Sequence, residues 1–254
     1  MILADFDYVL SILVRRMLYR CHNSELQIRH LHMKTLLKYM FLAASIAAFA
    51  GMANATPTLW ITDGTAANSF QVADGSLLDS NPGAGVVTYI GSVGIWTVNV
   101  STGIVGGTTA QPTMDLNSVD VSTGAGTLYI YYSATGFGPS SGSLNVAASG
   151  TLAVEDSLTF QTGASGGNTL FSGIPITTEG PFHGPAISDT TSAAISFGSA
   201  FSLTELVTVS HPRTGGTTSF DMFVSVPDSG TTLLLLGAAL TGLGLFGRLR
   251  KRVS

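Results

Sequence analysis

Hydrophobic and polar positions alternate in short runs from Thr56 to Ser225, and Gly, Asn, Asp and Ser break the runs. Successive side chains of a strand point to opposite faces, so alternation with a period of two marks strands buried on one side. LWIT (59–62), VVTYI (86–90), IWTVNV (95–100), TLYIYYSA (127–134) and SLNVAA (143–148) follow the pattern. TLAVE (151–155), SLTFQT (157–162), AAISFG (193–198), FSLTELVTVSH (201–211) and SFDMFVSV (219–226) continue it. Asp63-Gly64 is a turn dipeptide, and Gly91 to Gly94 reads as the turn of a hairpin. About nine to eleven strands, without a helical period longer than two turns, predict an all-β domain, a β-sandwich or jelly roll. Trp60, Trp96, Tyr129, Tyr131 and Phe197 are its candidate core aromatics. Adjacent Tyr131 and Tyr132 must face opposite ways.

Two apolar stretches depart from this alternation. Residues 33–55, MKTLLKYMFLAASIAAFAGMANA, place Lys34 and Lys38 before an apolar run from Phe41 to Ala50. Ala53 and Ala55 then supply a small-x-small site, so the segment reads as a cleavable Sec signal peptide with the mature chain starting at Thr56. Its apolar core is short for a span of about 20 residues, which favours cleavage over a retained anchor. Residues 1–32 mix Asp5, Asp7 and Glu25 with four arginines and fit no signal-peptide n-region. They read as an over-extended start with Met33 as the initiator, or as a cytoplasmic extension.

The second stretch, 226–252, has three parts: the polar motif 226–230, the uncharged run 231–247 and the basic tail 248–252. The run is at the lower edge of the roughly 17–25 residues that cross a bilayer, and Arg248 can snorkel to lengthen it. Arg248, Arg250, Lys251 and Arg252 act as a basic stop-transfer cluster that stays cytoplasmic and leaves the domain outside. Four bases abutting the run argue against a buried core helix. Gly242, Gly244 and Gly247 match the dinucleotide fingerprint G-x-G-x-x-G, but no βαβ unit surrounds them, and close helix packing is the better reading.

The order Val226, Pro227, Asp228, Ser229, Gly230, then an apolar span, then an Arg-rich end resembles the PEP-CTERM sorting signal in its VPDSG-type variant. The resemblance covers residues 226–252; the final strand pair, 201–211 and 219–226, extends it weakly. It implies an exosortase, a membrane-embedded cysteine protease that cuts near the motif, with Pro227, Asp228, Ser229 and Gly230 carrying the match. The usual Pro-Glu-Pro is replaced here by Pro-Asp-Ser-Gly. The resemblance also implies a Gram-negative source, a single-pass inner-membrane intermediate, a cell-surface or extracellular destination and association with exopolysaccharide. An ordinary single-span anchor behind a Pro-Gly linker is the alternative.

Charge sharpens the division. Between Thr56 and Ser225 stand eight Asp and three Glu against Arg213 alone, a net charge of −10 with His neutral. Phosphate neutralisation needs a basic surface, so nucleic acid is excluded as a partner. The single cysteine, Cys21, precedes the signal peptide, so the exported domain has no disulfide and no thiolate ligand.

Candidate chemistry is sparse. Gly138 to Gly142 formally match G-x-S-x-G, but Pro139 and a following strand replace the strand-to-helix elbow, so a hairpin loop is expected. His183 and His211 lack zinc-site spacing and are expected on the surface or in loops. Asp79 to Gly83 lack the terminal acid of an EF-hand and read as a turn. Glu155 and Asp156 are neighbours that should face opposite ways, which disfavours a glycosidase pair. No metal or cofactor is expected. The expectation is a non-catalytic, exported surface or matrix protein. A carbohydrate-binding module using exposed aromatics such as Tyr132 or Trp96 is the alternative, and an extracellular hydrolase is the least favoured reading.

Overall fold

The computed structural model describes residues 56–213 and 215–227. The signal peptide, the motif from Asp228 onward, the span and the basic tail lie outside the described residues. Among the described residues, twelve strands form two six-stranded sheets. They are β1 (Thr58–Thr62), β2 (Ser69–Ala73), β3 (Val86–Val93), β4 (Trp96–Gly107), β5 (Pro112–Ser122) and β6 (Gly126–Phe137). The second half supplies β7 (Ser140–Thr151), β8 (Ser157–Ser165), β9 (Thr177–Phe182), β10 (Ile187–Phe197), β11 (Phe201–His211) and β12 (Thr217–Ser225). A 3₁₀ turn at Ala66–Asn68 is the one helical element among the described residues.

Sheet I has the order β2-β1-β6-β11-β8-β9 and sheet II the order β10-β7-β12-β5-β4-β3. Within them, β5 to β12 make two four-stranded halves, β10-β7-β12-β5 and β6-β11-β8-β9, the double-sheet arrangement of a jelly roll. The hairpin β1–β2 widens one half beside β6, and the hairpin β3–β4 widens the other beside β5. The expected sandwich is therefore present. The β3–β4 hairpin turns on Gly94, whose φ of 57° suits a glycine.

Each inner face follows the pleat. β4 sends Trp96, Val98 and Val100 inward; β6 sends Leu128, Ile130, Tyr132 and Ala134; β11 sends Phe201, Leu203, Val207 and Val209. At one end Phe137 and Phe197 close on Phe201, with ring centroids 5.6 and 4.7 Å away. Of the expected core aromatics, Trp96 is fully buried and Phe197 packs partly buried on the core. Trp60, Tyr129 and Tyr131 instead lie half-buried on the outer face of sheet I, out of phase with Leu59, Ile61, Leu128 and Ile130. Trp60 stacks on its register partner Tyr131 at 4.6 Å, and Phe171 meets both rings edge-on. The loop carrying Phe171 is tied down by its own N–H donating to Ser133 Oγ and by Ser202 Oγ donating to Thr169 O.

Three strands fall outside the segments that alternation marks: β2, β5 and β9. TLAVE is not a strand beyond Thr151; Leu152 to Asp156 form a turn, with Val154 exposed. The G-x-S-x-G segment is not the expected hairpin loop, because its last three residues belong to β7 and β6 lies in sheet I while β7 lies in sheet II. Gly138 and Pro139 carry the chain across the sandwich, and Ser140 begins β7 with its hydroxyl on Ala110 O.

Candidate functional site

At the end of the sandwich opposite the Phe cluster, β11 finishes on His211, which is completely buried. This corrects the surface or loop position expected from the sequence. His211 occupies the inward phase of β11, and its ring tilts against Trp96 with centroids 4.7 Å apart. Its Nδ1 lies 2.6 Å from Ser122 Oγ and its Nε2 2.8 Å from Thr218 Oγ1. Asp156 Oδ2 stands 3.4 Å from Nε2. A buried serine, histidine and aspartate therefore meet from β5, β11 and the β7–β8 turn.

Ser122 Oγ donates to Gly124 O at 3.0 Å and accepts the Gly216 N–H at 3.3 Å. The Ser122 and Thr218 hydroxyls can each donate or accept, so either neutral tautomer of His211 satisfies both contacts. Burial pushes the imidazole below its ordinary value, and the Asp156 carboxylate partly opposes this. A neutral ring closes the end of the core.

Glu155 and Asp156 separate as expected. Glu155 turns outward to Arg213, 2.7 Å away, while Asp156 turns inward. His183 is exposed, and its Nδ1 meets Asp156 O at 2.8 Å. Asp79 forms a turn: its Oδ1 accepts the N–H groups of Asn81 and Thr88, and its Oδ2 accepts that of Gly75. Among the described residues no three His, Cys, Asp or Glu side chains converge as a metal would need.

Alternation alone did not single out the other buried acids. Glu205 sits mid-strand on the inward face of β11, fully buried, with neither carboxylate oxygen hydrogen-bonded. Desolvation holds its carboxyl well above the usual range. Tyr132, its register partner on β6, also buries an unpaired hydroxyl. Asp120 is buried on β5 and accepts from Ser118 Oγ at 2.7 Å; desolvation outweighs that bond and pushes it up to about 7. Burial likewise raises Glu179 on β9 to about 7. Asp115, on the outer face of sheet II, rises to about 6 through burial and its hydrogen-bonded neighbour Asp221. The signal for Glu205, His211 and Asp120 was their phase, since each stands two residues from a residue of the inner face.

The outer face of sheet II carries an open groove of about 590 Å³, lined by Asn145, Thr190, Ser192, Ser225 and Phe223. Its lining is uncharged, and Phe223 is 41% exposed. Tyr132 and Trp96, the aromatics expected to meet carbohydrate, are not exposed. They are 0% and 1% accessible because they share the inward phase of Ile130 and Val98.

The described chain ends two residues past β12. β12 sends Phe220, Met222 and Val224 inward, and Val226 continues the phase, 1% exposed, with its N–H on Pro112 O at 3.0 Å. Pro227 is exposed and has no N–H to extend a ladder. A family model, the VPDSG-CTERM motif, matches residues 225–250. The chain carries a VPDSG-CTERM motif.

The match accords with the PEP-CTERM-type resemblance carried by Val226 to Gly230. The VPDSG-CTERM motif thus begins inside the folded core: Val226 is its first letter and the last buried residue of the described chain. Asp228, Ser229, Gly230, Arg248, Arg250, Lys251 and Arg252 lie outside the described residues, as do Ala53 and Ala55. Thr56 is described and exposed. Among the described residues no helix is long and apolar enough to cross a membrane.

No curated protein matches the chain. Among solved structures, TmCBM61 in complex with β-1,4-galactotriose is 10% identical with a TM-score of 0.25, covering 52% of this chain and 88% of that one. The K1 cleaved adhesin domain of Lys-gingipain from Porphyromonas gingivalis W83 is 12% identical with a TM-score of 0.28, covering 53% and 84%. A carbohydrate-binding module of Cellvibrio mixtus lichenase 5A, in complex with cellotriose, is 13% identical with a TM-score of 0.24, covering 42% and 77%. Likeness at this level carries no argument, and the fold rests on the strand order itself.

Proposed function

We propose that this protein is an exported, non-catalytic β-sandwich of the cell surface or extracellular matrix, sorted through its C-terminal motif and associated with exopolysaccharide. The Sec translocon delivers it, residues 231–247 hold it in the inner membrane, and an exosortase-type protease releases it near Val226 to Gly230. The observation that carries the reading is the coincidence of two boundaries. The motif match starts at residue 225, where β12 ends, and the last described core side chain is Val226. A protease acting beyond Pro227 leaves every described core residue in place. Intact-mass measurement of the exported protein tests this. The expected product starts at Thr56 and ends near Pro227; a product that retains residues 231–247 refutes processing.

The groove on sheet II favours a second reading, binding of a neutral glycan. Its hydroxyl and amide lining suits sugar hydroxyls, and Phe223 offers an apolar surface for a sugar ring. Retention of the exported protein on immobilised neutral polysaccharide, lost in Phe223→Ala with unchanged folding, is the expected result. Equal retention of the variant counts against the groove.

A further inference from the structure

We propose that β10 is an association edge, along which two copies of this chain pair antiparallel about a two-fold axis and join their sheets II into one twelve-stranded sheet. A free edge strand offers unpaired N–H and C=O groups to any other strand, and native proteins blunt such edges. The sandwich has four edges, β2 and β9 in sheet I and β10 and β3 in sheet II. Three of them are protected. β2 has five residues. β3 has a register shift between Val87 and Tyr89 and is covered by the preceding loop. There Ser80 N–H donates to Thr88 O and Thr88 N–H donates to Asp79 Oδ1, both at 2.9 Å. β9 has six residues, a register shift in its pairing, Pro181 without an N–H, and the buried acid Glu179 pointing inward.

Apart from the Asp189 carboxylate on the Thr190 N–H, at 2.8 Å, β10 has none of these devices. Its eleven residues pair with β7 in one unbroken register from Ile187 to Phe197. It contains no Pro, Gly, Lys or Arg, and Asp189 is its one charge. Val226 N–H bonds to Pro112 O of β5, so the odd positions of β12 bond β7 at Phe223↔Ala147, and the even positions of β7 bond β10 at Val146↔Thr191. The even-numbered residues of β10 therefore aim their amides away from the sheet, and the Thr190 N–H meets Asp189 Oδ1 there. Ser188, Thr190, Ser192, Ala194 and Ser196 are all exposed and small.

That parity makes the strand complementary to itself. An antiparallel pair centred on Ser192 sets Thr190 opposite Ala194 of the second copy and Ser188 opposite Ser196, so every outward amide meets an outward amide. No bulky or charged side chains collide. The two Asp189 residues are offset by six positions, roughly 20 Å along the strands, beyond the Debye length of about 8 Å at physiological salt. A closed two-fold pair also consumes the edge and leaves no template for further growth. The net charge of the domain opposes association at long range, so pairing tightens as salt is raised.

The test uses the full chain in mild detergent with its one cysteine removed, Cys21→Ser. In that background Ser192→Cys places two thiols across a hydrogen-bonded pair, at a Cα separation of about 5.5 Å, within disulfide range. Mild oxidation should give a disulfide-linked dimer, while Gln71→Cys on edge β2 stays monomeric. Adding Thr190→Lys and Ala194→Lys sets like charges directly opposite each other twice and should abolish the crosslink. Mixing that chain with one bearing Thr190→Glu and Ala194→Glu should restore it. Crosslinking at residue 192 no greater than at residue 71, or crosslinking indifferent to the lysines, overturns the proposal.

Discussion

Glu205 offers a quantitative test of how this core is held. Its carboxyl is buried to 0% exposure without a hydrogen bond, so the folded protein keeps it protonated while the unfolded chain ionises it near the ordinary 4.5. A folded pKa above the unfolded one contributes stability that is complete below the unfolded value and is lost as pH rises. Stability therefore falls as pH rises above 4.5 for as long as the folded carboxyl keeps its proton. Glu205→Leu removes that dependence and the unpaired polar group together. At pH 7 it should raise the unfolding free energy by about 2–4 kcal/mol and Tm by roughly 5–10 °C. Glu205→Gln should flatten the pH dependence equally but gain nothing at pH 5, because the amide is as unpaired as the acid. Urea unfolding followed by tryptophan fluorescence reads the domain alone, since both tryptophans, Trp60 and Trp96, lie within it. The reasoning fails if Glu205→Leu loses stability between pH 5 and pH 7 as steeply as the parent chain.

The other raised carboxyls, Asp120, Glu179 and Asp115, act in the same direction and are opposed by His211, whose lowered value supplies stability above pH 6.5 that is lost on acidification. Urea titrations across pH should therefore place maximum stability on the acid side of neutrality. His211→Ala empties a buried site and strands Ser122 and Thr218, costing about 3 kcal/mol in the same assay. Gly103→Ala should cost about 1–3 kcal/mol, because an added Cβ would stand 2.6 Å from the Tyr132 ring, which has no free space to enter. Arg213→Ala should cost less than about 0.5 kcal/mol, since its ion pair with Glu155 is 74% and 52% exposed.

The alternation of β11 was legible because Phe201, Leu203, Val207 and Val209 dominate one phase, and β5 was not because its inner phase turns polar at Ser118, Asp120 and Ser122. Along β5 burial follows strand parity even where the residue type disagrees. The same parity places Tyr132 with Leu128 and Ile130, and Trp96 with Val98, so the inward turn of both was present in the pattern. β9 is short and interrupted by Gly180 and Pro181, which read locally as loop. That β6 and β7 belong to different sheets depends on their partners β11 and β12, more than 60 residues downstream, and no local pattern reports such pairing. The meeting of Ser122, Asp156 and His211 is non-local in the same way. The C-terminal motif needed no tertiary information, because its three parts are contiguous in sequence.

The place where the fold ends bears on what processing can cost. Residues 56–227 contain no cysteine, so the core and ladders alone hold this domain together. Val226 contributes a buried side chain, worth about 1.5–3 kcal/mol, and a backbone bond to Pro112 at the edge of β5. A cut before Val226 would forfeit both and free the end of β12, which lies between β5 and β7 and pairs with each. A cut after Pro227 removes nothing from the described core. Release at the motif is therefore compatible with a stable product only on the C-terminal side of Val226. Chains truncated after residue 227 and after residue 225 should differ in unfolding free energy by about 2–4 kcal/mol. Equal stability of the two would separate the sorting boundary from the folding boundary.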